Sequence, residues 1–307
     1  MESRVYRSTG SWYTVRHPEQ GFVQARMKGR FRLDDITSTN PVAVGDVVEL
    51  VREEGPEASW VITDIRPRRN YVNRRSPAHA HRHHIVAANL DQSLLVATLR
   101  DPRTSQGFVD RFLTACEAYH VPAALIVNKC DQFRRKEKEH FREWEDMYGA
   151  IGYRVFRSSA ATGDGVDALR AWLTGRITLV SGHSGVGKSS LINHLLPDRS
   201  LRTGEVSGWS GKGMHTTTFA EMFDLPGGGA IIDTPGIREF GLVDIDPGEL
   251  SHYFPEMRAR IAGCQFNDCR HLDEPGCAVK AAVERGDIHP ERYISYCTIL
   301  DSLGEER

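Results

Sequence analysis

The chain has 307 residues, of which 40% are hydrophobic and 26% charged, and its net charge is −2 at pH 7. That length accommodates two or three domains with a sizeable core, and without an apolar run of about 18 residues a membrane-spanning helix is excluded. Six cysteines are too sparse for a disulfide scaffold, and no apolar leader with a cleavage site is visible, so a cytosolic protein is expected; a monomer is expected as well.

The charge is graded along the chain. Residues 1–84 carry 14 Lys and Arg against 10 Asp and Glu, whereas residues 249–307 carry 7 against 11. Residues 1–70 read as short alternating strands, "SWYTVRH", "GFVQARMKG", "GRFRL", "GDVVELV" and "SWVITDIRP". Short loops and alternation predict a small closed barrel of the OB type, with an SH3-like barrel or small sandwich as alternatives. The densest basic run, "RPRRNYVNRR", holds Arg66, Arg68, Arg69, Arg74 and Arg75. Arginines interleaved with Tyr and Asn beside a β module fit a nucleic-acid backbone as well as a solvated face. Residues 71–90 are basic and His-rich and read as a solvated connector.

From residue 91 the texture changes. Buried strands "SLLVATL", "AALIVN", "YRVFRSS" and "ITLVSG" alternate with helices at 105–120, 134–149 and 164–174. That alternation predicts a parallel sheet covered on both faces. Residues 200–222 are rich in Gly, Thr and Ser, "AEMFDLPGGGAIIDTPG" reads as two strands around a glycine turn, and the chain beyond Asp246 is helical with a Cys/His insert.

The segment "GHSGVGKS" fits G-x-x-x-x-G-K-[ST] between an apolar strand and a helix, the context that makes this pattern a phosphate-binding loop. Gly182, Gly185 and Gly187 let the backbone wrap closely, so N–H groups of Gly182, His183, Ser184, Gly185, Val186, Gly187, Lys188, Ser189 and Ser190 can face phosphate oxygens. Lys188 would reach the β- and γ-phosphates, and the Ser189 hydroxyl would meet Mg²⁺. Upstream, "NKCD" ends a buried strand. There Asp131 can accept from the two ring-edge donors that guanine has and adenine lacks, Asn128 can bridge to N7 and to other loops, and the Lys129 stem can lie over the purine. Ser159 and Ala160 follow the next strand, where a loop could face the guanine O6. In "DTPG", Asp233 would join the Mg²⁺ shell and the Gly236 N–H would sense the γ-phosphate. "GMHTTT" supplies a switch threonine, with Thr217 favoured over Thr216 as the Mg²⁺ ligand on spacing.

The base reader therefore precedes the phosphate loop, the reverse of the Ras-like order. The cyclic order is nonetheless that of a GTPase, with only the starting point moved, and compact α/β domains tolerate such cuts because their termini lie close together. Downstream, Cys264, Cys269, His271 and Cys277 form C-x4-C-x-H-x5-C, a four-ligand set for one closed, structural Zn²⁺.

With these motifs the chain resembles the RsgA/YjeQ family of circularly permuted GTPases along essentially its whole length. The resemblance implies an α/β P-loop GTPase domain, circularly permuted, with an N-terminal OB-like β-barrel and a C-terminal helical zinc-binding domain, here assigned to 91–245, 1–70 and 246–307. It implies GTP and GDP with Mg²⁺ as ligands, the 30S ribosomal subunit and its 16S rRNA as partner, and hydrolysis stimulated by that subunit during its late maturation. Two further expectations concern the catalytic step. Where Ras-like enzymes place a water-orienting Gln after the D-x-x-G glycine, this chain has Ile237, so His215 beside the switch threonines either positions the water or only anchors the switch. The short span from Gly236 to the zinc domain would act as a lever. Alternatives are an RNA-binding module with a vestigial pocket, against which intact Lys188, Ser189 and Asp233 argue, and a GTPase serving another ribonucleoprotein or metal delivery.

Overall fold

The computed structural model of the chain describes residues 2–27, 40–53, 59–76, 79–197, 220–234, 242 and 245–305. The first five strands are β1 (Glu2–Ser8), β2 (Tyr13–His17), β3 (Gly21–Met27), β4 (Val47–Arg52) and β5 (Trp60–Ile65), and β2 and the first four residues of β4 alternate between more and less buried positions as half-buried strands must. They pair β1–β2, β2–β3, β3–β5, β5–β4 and β4–β1, which closes a barrel. Its core is Val5, Tyr13, Val15, Ala25, Val42, Val48, Leu50 and Ile62. The strand at 2–8 was not among those expected, because a lone aliphatic Val5 between Arg4 and Arg7 gives little apolar signal. The "GRFRL" segment lies outside the described residues.

Residues 71–88 depart from the expected solvated connector. They form an antiparallel hairpin of β6 (Tyr71–Ser76) and β7 (His79–Ala88). Its inner end, Val72 with Ile85, Val86, Ala87 and Ala88, is buried, and Ala87 bridges to Val44 of the barrel. Four consecutive apolar residues need cover, and the histidines ahead of them hid that signal.

The α/β domain follows the predicted order: β8 (Gln92–Ala97), α1 (Gln106–Ala118), β9 (Ala123–Val127), α2 (Arg135–Ala150), β10 (Arg154–Arg157), α3 (Val166–Leu173), β11 (Ile177–Ser181), α4 (Lys188–Leu195), β12 (Glu221–Asp224) and β13 (Ala230–Asp233). The strands lie β10-β9-β8-β11-β13-β12, all parallel except β12. Apolar residues of α1 and α2 pack on one face and those of α3 and α4 on the other. Ser105 caps α1 by accepting from the Phe108 N–H at 3.3 Å, and Phe112 and Leu113 are fully buried beneath it, each stabilising by about 1.5–3 kcal/mol. Arg7 of β1 pairs with Glu221 of β12, so barrel and α/β sheet run on as one eleven-stranded sheet. Tyr6 donates to Asp224 across that junction at 2.5 Å, and Arg16 pairs with the same carboxylate.

The remaining helices, α5 (Pro255–Arg258), α6 (Ala278–Glu284) and α7 (Pro290–Glu305), pack on the α1 side of the sheet and share its core. A fully buried ionic knot holds them there. Arg292 of α7 donates to Asp110 of α1 at 2.6 Å and to Glu256 of α5 at 2.7 Å. The same Asp110 oxygen accepts from Tyr148 of α2 at 2.9 Å, and the guanidinium lies 4.6 Å over the Phe254 ring.

Candidate functional site

Parallel α/β sheets present their loops at the C-terminal strand ends, where ligands bind. Three such loops meet here, after β9, β10 and β11. Their junction is the side chain of Asn128, which is 1% exposed. Its Nδ2 donates to the Val186 carbonyl in the glycine-rich loop at 2.8 Å. Its Oδ1 accepts from the Ala160 N–H at 3.0 Å and the Ser158 hydroxyl at 3.2 Å. One amide thus joins the base reader, the Ser-Ala loop and the phosphate loop, although Val186 lies 58 residues from it in sequence.

Asp131 is held from the same side, with its Oδ1 accepting from the buried Ser159 hydroxyl at 2.6 Å. Lys129 has a left-handed backbone (φ 62°), and its ammonium donates to the Asp101 carbonyl, which fixes the stem. The Ala160 N–H is engaged by Asn128 in this arrangement, while the Ala160 carbonyl meets His194 Nε2 at 2.6 Å.

The glycine-rich loop is shaped for an anion. Among the described residues no backbone N–H from His183 to Ser190 finds an acceptor in the main chain; the first that does is Leu191, to Gly187 at 2.9 Å. A Cβ at Gly187 (φ 87°) would stand 2.4 Å from Asn128 Nδ2, and one at Gly182 2.5 Å from the Val96 carbonyl, so neither position admits a side chain. Lys188 donates to the Thr234 carbonyl at 2.6 Å and lies 3.1 Å from Asp233 Oδ1. That ion pair lacks hydrogen-bond geometry, which leaves the buried Oδ1 without a hydrogen-bond donor among the described residues. Unpaired N–H groups beside an undersatisfied carboxylate fit a phosphate chain and its divalent cation. His183 stacks on Phe108 of α1 with ring centroids 3.7 Å apart, and its partial burial lowers the imidazole pKa. His215, Thr216, Thr217, Gly236 and Ile237 lie outside the described residues.

The ligating atoms of Cys264, Cys269, His271 and Cys277 lie within 4.8 Å of one another. Nδ1 is the ring nitrogen facing the sulfurs, 3.4 Å from Cys277 and 3.7 Å from Cys264. Tyr293 and Tyr296 of α7 donate to the His271 and Arg270 carbonyls at 2.6 and 2.7 Å, fixing the loop that carries the imidazole. Without a cation, burial and the neighbouring thiols push Cys269 up to about 12. Three thiols and an imidazole so close together are a donor set for tetrahedral Zn²⁺.

The basic run is largely engaged within the chain. Arg66 pairs with Glu49 at 2.7 Å, Arg68 grips the buried Asp46 through two bonds of 2.7 Å, and Arg69 pairs with Asp91 at 2.7 Å. Arg74 lies opposite His84 in the hairpin, and the Arg75 side chain lies outside the described part. The knot around Arg292 and the Phe108–His183 stack escaped the sequence reading, since no local pattern marks a pair 182 residues apart.

The fold and the site define a circularly permuted P-loop GTPase with a five-stranded N-terminal barrel and a Cys₃His cluster. Comparison with known proteins agrees. The RsgA GTPase family model matches residues 65–243 and the RsgA N-terminal domain model residues 2–59. A "Small ribosomal subunit biogenesis GTPase RsgA" of Bacteroides fragilis is 48% identical over 99% of this chain and 98% of its own. Its counterpart in Porphyromonas gingivalis is 47% identical over 100% and 98%. The crystal structure of YjeQ from Thermotoga maritima superposes with a TM-score of 0.80 at 34% identity, covering 100% and 99% of the two chains. YloQ, described as a circularly permuted GTPase, gives 0.75 at 28% identity over 100% and 96%. The chain belongs to the RsgA GTPase family.

Proposed function

We propose that this protein binds the small ribosomal subunit, hydrolyses GTP there during late subunit maturation, and leaves once hydrolysis is complete. The observation that carries the reading is the Asn128 junction, which makes two distant motifs one nucleotide site. The names of the relatives supply the partner.

In this reading Asp131 accepts from the guanine edge, its other oxygen being held by Ser159. The Lys129 stem covers the base, and the Ser159–Ala160 loop closes the O6 side. The N–H groups from His183 to Ser190 cradle the phosphates. Lys188 exchanges its hold on Thr234 for the β- and γ-phosphate oxygens. Ser189, Thr217 and Asp233 would hold the Mg²⁺, which when bound neutralises charge developing between those phosphates. The Gly236 N–H senses the γ-phosphate, and His215 orients the attacking water in place of the glutamine that Ile237 replaces. The Cys264, Cys269, His271 and Cys277 set holds a structural Zn²⁺ within a C-terminal unit at 246–307. Movement of the DTPG segment then reaches that unit over a short span, while the barrel at 1–70 and the basic residues at its edge, Arg66 to Arg75, lie toward the rRNA.

The test is GTP turnover with and without purified small subunits, with ATP and Lys188→Ala as controls. Slow GTP-specific turnover that rises with subunits and falls by about 10²–10³ in the variant, the usual cost of removing one charge-stabilising donor, is expected. Turnover indifferent to subunits would remove the partner from the reading. A His215→Ala variant that keeps full stimulated turnover would remove that residue's role.

A further inference from the structure

The arginines of the 66–75 run are mostly neutralised by carboxylates of the same chain, so charge available to a polyanion has to be sought among cations without partners. Four of them lie around α2. Arg103, Lys136, Lys138 and Arg142 are exposed, and none has an ion-pair or hydrogen-bond partner among the described residues.

Their placement follows from helix geometry. Positions 136 and 140 lie on one side of α2, positions 138 and 142 on the other. Each side borders a cleft. One, of about 450 Å³, lies between α2 and the loop 99–103, lined by Arg103, Lys136 and His140. The second, of about 430 Å³, lies between α2 and β10, lined by Lys138, Arg142, Arg157 and the single carboxylate Glu145 over Phe133 and Phe141. The cations outnumber the carboxylates in both clefts, three to two with Arg100, Arg103 and Lys136 against Asp101 and Glu137 in the first and three to one with Lys138, Arg142 and Arg157 against Glu145 in the second. Asp101 pairs with Arg100 at 2.9 Å, Glu137 accepts from the Arg134 N–H at 2.9 Å, and Asp164 lies 3.6 Å from Arg157. Burial and then the charge of Arg103 lower the His140 pKa, with Glu143 opposing them. Two cationic clefts flanking one helix fit an extended, regularly charged ligand better than a single small anion.

We propose that the α2 face is a docking surface for RNA backbone phosphates, with Arg103 and Lys136 in one cleft and Lys138 and Arg142 in the other. The inference rests on the reading that the partner is a ribosomal subunit, and it names the part of this chain that meets its RNA. The surface adjoins the nucleotide site. The loop that carries Arg103 also offers the Asp101 carbonyl that holds Lys129, and α2 begins four residues after Asp131. Phosphates drawn against this loop press on the base reader, which gives subunit binding a direct route to turnover.

The test is a variant with Arg103→Gln, Lys136→Gln, Lys138→Gln and Arg142→Gln together, assayed for co-sedimentation with purified small ribosomal subunits between about 50 and 200 mM salt. Duplex binding loses about 0.9 in the slope of log K against log salt for each phosphate contact removed. Affinity is expected to fall by about 10- to 100-fold, and the slope to become shallower by about two to four. Basal GTP turnover, GDP affinity and thermal unfolding should stay unchanged, and Arg103→Lys with Arg142→Lys should retain binding. A photo-crosslinker on Lys138→Cys should attach to rRNA. Unchanged affinity and slope in the Gln variant, or attachment to a ribosomal protein in place of RNA, would overturn the proposal. A wild-type protein that fails to bind subunits would sink the functional reading and this surface with it, an outcome distinct from wild-type binding that the variant merely equals.

Discussion

The nucleotide site and the Cys₃His cluster are built on opposite principles. Around Asn128 the base-reading side is already cross-linked: Val186, Ala160 and Ser158 meet its amide, and Ser159 meets one oxygen of Asp131. That side keeps its shape before any guanine arrives. The cluster has the reverse character. Its donors face one another within 4.8 Å, burial and neighbouring thiols oppose the thiolate at Cys269, and His271 Nε2 is buried without a partner among the described residues. Hydrogen bonds preorganise the first site, whereas the second gathers a donor set suited to a cation.

That contrast can be broken most decisively at the metal. Apparent binding free energies of structural Zn²⁺ in zinc-finger peptides run to about 10–16 kcal/mol. Stripping zinc with a chelator, or Cys277→Ser, is therefore expected to open residues 255–305 to amide hydrogen exchange, while GDP affinity changes far less. Equal losses of exchange protection around Asn128 would show that the two sites are a single cooperative unit.

One tie between the α/β domain and the C-terminal helices is Arg292. Truncating one member of a buried, charge-paired set leaves a charge uncompensated and costs about 3–5 kcal/mol. Arg292→Ala should lower stability by that amount in denaturant unfolding. Replacing Arg292, Asp110 and Glu256 together by apolar residues of similar volume should cost much less. A triple variant as unstable as the single one would mean that packing, rather than charge compensation, is what the knot supplies.

A smaller effect is expected at the preorganised side. Asn128→Ala removes three hydrogen bonds, each contributing about 0.5–1.5 kcal/mol net. GDP affinity should fall by about 10- to 100-fold by calorimetry, with zinc content untouched. An affinity within twofold of the parent would show that the three loops hold their places without this amide.

Much of this was legible because its signals are local. GHSGVGKS, NKCD and the Cys/Cys/His/Cys spacing each fall within a few residues, and strand–helix alternation from residue 91 is a periodicity that one chain displays by itself. What stayed hidden is what depends on distant partners. Tyr71 to Ala88 read as a linker because histidines masked the IVAA run that the barrel covers. Arg68 read as a surface charge because Asp46, which it grips at 2.7 Å, stands 22 residues away and carries no mark of burial. Arg292 carries no local mark of burial either, because its partners Asp110 and Glu256 stand 182 and 36 residues away.

The central claim is that a base reader and a phosphate loop in reversed order make one guanine-nucleotide site. The most direct measurement is turnover of GTP, ATP and xanthosine triphosphate by the parent protein and by Asp131→Asn. Xanthine presents a carbonyl where guanine presents an amino group, so an amide can donate where the carboxylate accepted. Hydrogen bonds to a charged partner contribute about 1.5–3 kcal/mol, so the variant should lose GTP turnover by about 10- to 100-fold and gain xanthosine triphosphate, with ATP poor throughout. Unchanged preference in Asp131→Asn, or equal use of GTP and ATP by the parent, would contradict the account.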